Sequence, residues 1–266
     1  MKRILSALVL GAAIVYVVLG APLMLGVVVV ALAILVAVHE MAGLLEAAGC
    51  PTNRKAILAA SILMLGACIT RGPIGLSTGL AMGVLVVFAF SIISGSVKGS
   101  VKRASSGFFV LLIPVWSLAH FVFFLQTTGG RRSLIFLLVC IWVSDSAAYY
   151  AGSALGRHKL APQISPNKTI EGSFAGILGC VLSAVVFRMF SLVPWPLYTV
   201  LLAGLFLSLI AQAGDLAESM IKRDAGVKDS GSLIPGHGGI LDRVDALLFA
   251  VPIFYYCFPW LPGYLP

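Results

Sequence analysis

Apolar residues in this chain come in long, nearly uninterrupted runs rather than in the narrow stripes of a surface helix. The runs occupy about 4–20, 22–45, 56–70, 73–95, 107–126, 133–152, 171–191, 196–221 and 244–262. Most reach the roughly 17–25 residues that a spanning helix needs. In lipid, a helix lets one segment satisfy its own backbone. The pattern therefore predicts an all-α, polytopic integral membrane protein with about nine transmembrane helices. Only Gly20-Ala21-Pro22 separates the first two runs, and the short third run meets the fourth at Gly72-Pro73. Met1-Lys2-Arg3 resembles the start of a signal peptide. No small-x-small cleavage site precedes the next run at Leu23, so the first run reads as a retained span.

Composition agrees. Hydrophobic residues make up 60% of the 266 positions and charged residues 11%, against about 25% charged in a soluble domain. One membrane-embedded unit over 1–266 is expected, with no separate soluble domain. The net charge of +8 comes without a long basic tract. It reads as a topology signal and contact with anionic lipids, not as nucleic-acid binding. Numbering the loops alternately from a cytoplasmic N-terminus puts all but Arg71, Arg131, Arg132 and Arg188 of the 18 lysines and arginines on the inner side. The five cysteines form no CxxC pair and read as reduced, small apolar residues.

Carboxylates change the picture. Of ten, only Glu40 and Glu46 precede residue 145, and the other eight fall between Asp145 and Asp245. Residues 1–130 read as an apolar scaffold half and 131–266 as a catalytic half. His39-Glu40, at the end of the second run, is expected at the interface, with an approach to the site as the alternative, and His120 in an aromatic run reads as structural.

Four constellations carry the candidate chemistry. Asp215, Glu218, Ser219 and Lys222 recur at i, i+3, i+4, i+7 and share one helix face. A carboxylate inside an apolar run is expensive unless it is paired or faces water, so Asp215 is a candidate metal ligand. Asp242 and Asp245 share a face at the start of the last run, with Arg243 between them and Gly236-His237-Gly238-Gly239 just before. A Gly-rich turn lets backbone N–H groups approach an anion, and Lys222, Arg223 and Lys228 lie nearby in sequence. Hard carboxylate oxygens suit Mg²⁺, which bridges phosphates. Asp145 sits inside the sixth run, between Ser144 and Ser146. Finally, the loop from Gly156 to Gly172 holds Ser165-Pro166, which marks a turn, and Lys168 and Thr169 at a helix start, a natural anion site.

The stretch from Ser219 to Asp245 resembles the signature of the phosphatidate cytidylyltransferases, or CDP-diacylglycerol synthases. The matching residues are Ser219, Lys222-Arg223, Lys228-Asp229, Pro235, His237-Gly238-Gly239, Asp242-Arg243 and Asp245. Ser144-Asp145, Ser165-Pro166 to Gly172 and Gly214-Asp215 also look like family segments. Asn167 stands where the family often has a second lysine. The resemblance implies transfer of CMP from CTP to phosphatidate, with Mg²⁺, possible involvement of a second cation such as K⁺, and a homodimer in the bacterial-type inner membrane. It implies that Asp215 and Asp242 bind metal and that Asp145 and Asp245 assist them. Ser165, Lys168, Thr169, Lys222, Arg223, Lys228, His237, Gly238, Gly239 and Arg243 then meet substrate. A CTP-dependent polyprenol or phytol kinase resembles the same C-terminal half, but the full Lys-Asp to Asp-Arg-x-Asp signature favours the cytidylyltransferase. A cation-coupled transporter would show repeats in both halves.

Overall fold

The computed structural model describes residues 2–93, 95, 97–233 and 238–257, with backbone alone for 2–10. It is helical almost throughout. In order come α1 (Lys2–Leu19), α2 (Leu23–Ala47), α3 (Arg54–Ile93), α4 (Ser100–Val110), a π-helical insert (Leu111–Trp116) and α5 (Ser117–Gln126). Then follow α6 (Gly130–Leu155), strands β1 (Lys159–Ala161) and β2 (Ser165–Thr169), α7 (Ile170–Met189), α8 (Leu197–Asp224), α9 (Leu241–Val244) and α10 (Leu247–Cys257). Among the described residues, six helices are long and apolar enough to cross a membrane, α4 to α5 counting as one from Ser100 to Gln126. Exposed Leu32, Leu85, Phe174, Leu178, Leu182 and Phe206 line their outer faces. The protein is therefore an all-α integral membrane protein.

α3 is not straight. Gly72 has φ 60° and ψ −140°, a region that only glycine occupies readily. Beyond it the chain doubles back. Gly79 lies against the Met64 backbone, where an added Cβ would sit 2.9 Å from its Cα, and Gly83 lies against Ala60. In a straight helix residues 60 and 83 would be about 35 Å apart. The break expected at Gly72-Pro73 is thus a reversal. Hydroxyls along this hairpin return to carbonyls one turn back, as Ser61 to Ile57 at 2.7 Å and Thr70 to Gly66 at 2.8 Å, which keeps them satisfied in lipid.

The chain divides into two compact units. The first holds Pro22–Phe123 and Ile221–Val244 together with the first residues. Its core is built on Ile34, Met41, Ile57, Met64, Leu76 and Leu111. Pro114, which has no N–H to donate, falls within the π-helical insert, and the buried His120 donates Nδ1–H to the Trp116 carbonyl at 2.8 Å, the structural role expected of it.

The second unit holds Ile4–Ala21, Phe124–Met220 and Asp245–Pro266. Its core is aromatic. Phe136 meets Trp195 edge-on with centroids 4.9 Å apart and stacks on Phe254 at 6.0 Å. The hairpin of β1 and β2 is antiparallel, Lys159 opposite Thr169 and Ala161 opposite Ser165. Ser165-Pro166 therefore begins a strand. The turn expected there lies just before it, at residues 162–164, because an X-Pro pair reads equally well as extended backbone. All five cysteines are free.

Gly72→Ala should lower the thermal midpoint of the detergent-solubilised protein, since an L side chain at that φ and ψ costs about 1–3 kcal/mol. Gly66→Ala is expected to move it the other way. Gly66 is helical with nothing within 4 Å of an added Cβ, and alanine is worth about 0.5–1 kcal/mol over glycine there. A midpoint that rises for both would contradict the reversal.

Candidate active site

In the second unit, α6 brings Asp145, β2 brings Lys168, α8 brings Asp215 and Glu218, and the start of the α10 segment brings Asp245. Thr169 caps α7, its hydroxyl accepting the Gly172 N–H at 3.1 Å. The Glu171 carboxylate turns back to accept the N–H groups of Arg157 and His158 at 3.1 and 3.2 Å and meets the His158 ring at 2.6 Å. These contacts hold the hairpin so that the Lys168 ammonium pairs with Asp215 at 2.6 Å. On α8, Gly214 abuts the Asp245 carbonyl, 2.8 Å from where its Cβ would be. Any side chain there would push the two segments apart. Asp145 lies within electrostatic reach of Asp215 and Lys168, and Asp245 within reach of Asp215, Glu218 and Asp145.

A polar ladder locks the helices that carry these groups. Ser144 on α6 and Ser208 on α8 share a hydrogen bond of 2.8 Å, and Gln212 donates to Ser208 at 3.0 Å. The Ser173 hydroxyl on α7 donates to the Gln212 side chain, which donates to the Ser173 carbonyl at 3.3 Å. Ser144 precedes Asp145, and Gln212 lies one turn before Asp215. The sequence signal for this was Gln212, an amide inside an apolar run.

In the first unit, Lys222 and Asp242 are both buried, at 8% and 9% exposure, and pair at 2.7 Å through Oδ1. Oδ2 of Asp242 accepts from the Ser230 N–H, the Ser230 hydroxyl and the Gly239 N–H, each at 2.8 Å. The carboxylate thus receives four donors, one on Oδ1 and three on Oδ2. Gly238 has φ 78° and packs against the same Oδ2. The N–H groups of Ile240 and Leu241 go to Glu40 on α2, at 3.0 and 2.7 Å. The N–H groups of Gly239, Ile240 and Leu241 are thus held by the protein's own carboxylates. Glu40 itself is buried. Arg223, Lys228 and Arg243 are exposed, and Arg223 donates to the Val227 carbonyl at 2.9 Å. Pro235, Gly236 and His237 lie outside the described residues.

The donor chemistry fits Mg²⁺. Asp145, Asp215, Glu218 and Asp245 present hard oxygens in excess of the charge of Lys168. Among the described residues, no three His, Cys, Asp or Glu side chains converge as a ready cage. Mg²⁺ is commonly held by one or two carboxylates, with waters and substrate phosphates completing its shell.

A sequence model of the cytidylyltransferase family matches residues 1–261. The chain is similar to a phosphatidate cytidylyltransferase of Staphylococcus epidermidis, 38% identical over 66% of this chain and 66% of the relative. One of Bacillus subtilis is 40% identical over 65% and 64%. One of Synechocystis is 50% identical over 48% and 43%. The matches thus span just under two thirds of the relatives' own length, or less.

The Asp242 carboxyl is held below its ordinary value of 3.8. Burial alone would raise it, but the Lys222 ammonium, the Gly239 N–H and the Ser230 hydroxyl and N–H outweigh burial. The unfolded chain therefore binds that proton more readily. The resulting stabilisation is complete above the ordinary value and is lost as pH falls below it. Asp242→Asn should flatten the acid limb of a plot of unfolding midpoint against pH. At pH 7, Lys222→Met should destabilise by roughly 3–5 kcal/mol, because it strands a buried charge, whereas exposed Lys102→Met should change stability by less than about 0.5 kcal/mol.

Proposed function

The chain belongs to the cytidylyltransferase family, and on that premise we propose that it transfers CMP from CTP to phosphatidate. The products are CDP-diacylglycerol and pyrophosphate. A phosphate oxygen of the lipid attacks the α-phosphorus of CTP. The bond from that phosphorus to the bridging oxygen breaks, and pyrophosphate leaves with the electron pair. A phosphate monoester is already largely ionised near neutral pH, so the protein supplies positioning and charge neutralisation rather than a strong base. The observation that carries the reading is the match to relatives named phosphatidate cytidylyltransferase. The buried charge constellations support it.

Asp215, assisted by Asp145 and Asp245, and Asp242 are the proposed Mg²⁺ ligands. For Asp242 this means exchanging one of its present donors for the ion. Bound Mg²⁺ supplies neutralisation of the oxygens around the reacting phosphorus. A second cation such as K⁺ and a homodimer belong to the same reading through the resemblance. Lys168 holds a phosphate at the start of α7, where the helix dipole favours negative charge. Lys222, Arg223, Lys228 and Arg243 meet the remaining phosphate oxygens, and Ser165, Thr169, His237, Gly238 and Gly239 shape the sites that receive them. The skew of lysine and arginine toward one side supports a site facing the cytoplasm from the inner membrane.

Purified protein given CTP, phosphatidate and Mg²⁺ should release pyrophosphate only when both substrates are present. Asp215→Asn is expected to cut turnover by about a hundredfold or more without unfolding the protein in detergent. Lys168→Ala should reduce kcat/KM far more than Lys102→Ala. Release of CDP with a lipid alcohol would move the chain to the kinases, and no turnover with either lipid would sink the reading.

A further inference from the structure

Glu40 stands in α2, far from the other candidate groups in sequence, and is 7% exposed. A carboxylate in an apolar run costs a few kcal/mol unless donors meet it. Its donors come from 200 and 201 residues away, the N–H groups of Ile240 to Oε1 and of Leu241 to Oε2. The Ser230 hydroxyl is also within 3.3 Å of Oε2. That hydroxyl has one proton, and Asp242 at 2.8 Å is the nearer acceptor.

The backbone on both sides is shaped to this carboxylate. A Cβ on Gly239 would lie 2.4 Å from Oε1 and 2.6 Å from Oε2 of Glu40, and one on Gly231 would lie 2.7 Å from Oε1. Such distances are well inside contact, so a side chain at either position would displace the carboxylate or the chain. Glu40 therefore bonds one described flank of the last loop through Ile240 and Leu241 and packs against the other at Gly231. Asp242 binds the same flanks at Ser230 and Gly239 and carries Lys222 with it. Two carboxylates, one from each end of the sequence, clamp one loop.

We propose that Glu40 is a positioning residue for the transfer reaction, holding the loop flanks so that Asp242 and Lys222 keep their working geometry. As a statement about catalysis this rests on the nucleotidyl-transfer reading. As a statement about the loop it does not. Glu40→Gln keeps the shape but replaces one acceptor by an amide that cannot accept from an N–H. Gly239→Ala attacks the same contact from the other side.

Two measurements on the full chain in detergent test the proposal. Amide hydrogen exchange should quicken at Ile240 and Leu241 by about tenfold or more in both variants, as expected when a local opening becomes easier. It should stay unchanged in Glu46→Gln, which alters the exposed ion pair with Arg54. Turnover should show kcat reduced about tenfold to a hundredfold, as for a small misplacement of reacting groups. KM for CTP should stay within about twofold, and Glu40→Asp should restore part of kcat. Unchanged exchange overturns the proposal whatever the activity. Faster exchange with wild-type kcat overturns the positioning role. If the wild-type protein turns over no CTP, the reaction reading fails, and exchange alone decides whether Glu40 holds the loop. Should Glu40→Gln fail to fold, Gly239→Ala carries both measurements.

Discussion

The buried pair of Lys222 and Asp242 is the contact on which the last loop depends. Removing two charges from water is costly, and their attraction repays it only when the remaining hydrogen-bonding capacity is also filled. Asp242 fills it with the Ser230 and Gly239 donors, so one ion pair dictates the path of the chain on both sides. The glycines follow from that crowding. They let main chain approach carboxylate, and part of the Gly-rich character of the signature is explained by the protein's own anions before any ligand is considered.

The second unit meets the same constraint differently. Several carboxylates gather near Lys168 and Asp215, where the Ser219 hydroxyl lies 3.4 Å from Asp215 and the Ala246 N–H reaches Asp245 at 2.7 Å. A cluster with negative charge to spare is suited to recruiting cations and, through them, phosphates. The ladder of Ser144, Ser208, Gln212 and Ser173 keeps the three helices in register without adding charge. Neutral hydrogen bonds serve that purpose in lipid at modest energy.

Much of this was legible in the residues. Long apolar runs require helices, since lipid offers no partners for open backbone, and the break at Gly72-Pro73 marks a real reversal. The helix start at Thr169 and the shared face of Asp215 and Glu218 also follow from local spacing. The strand pairing of Lys159–Ala161 with Ser165–Thr169 was not legible, because three- and five-residue strands carry too little pattern to separate from loop. The partners of Glu40 were not legible for a different reason. Nothing near it in sequence hints at a partner two hundred residues on, and a lone carboxylate at the end of a run looks interfacial.

By itself the sequence determined the helical membrane class, the concentration of carboxylates in the second half and the candidates for the chemistry-bearing groups. Those properties depend on composition and short-range periodicity, which the chain carries wherever it folds. Tertiary structure decided which groups spend their charge on one another. It paired Lys168 with Asp215 and Lys222 with Asp242, and it gave Glu40 to the backbone of Ile240 and Leu241. Such pairings depend on which distant segments meet, and residue spacing alone does not encode that.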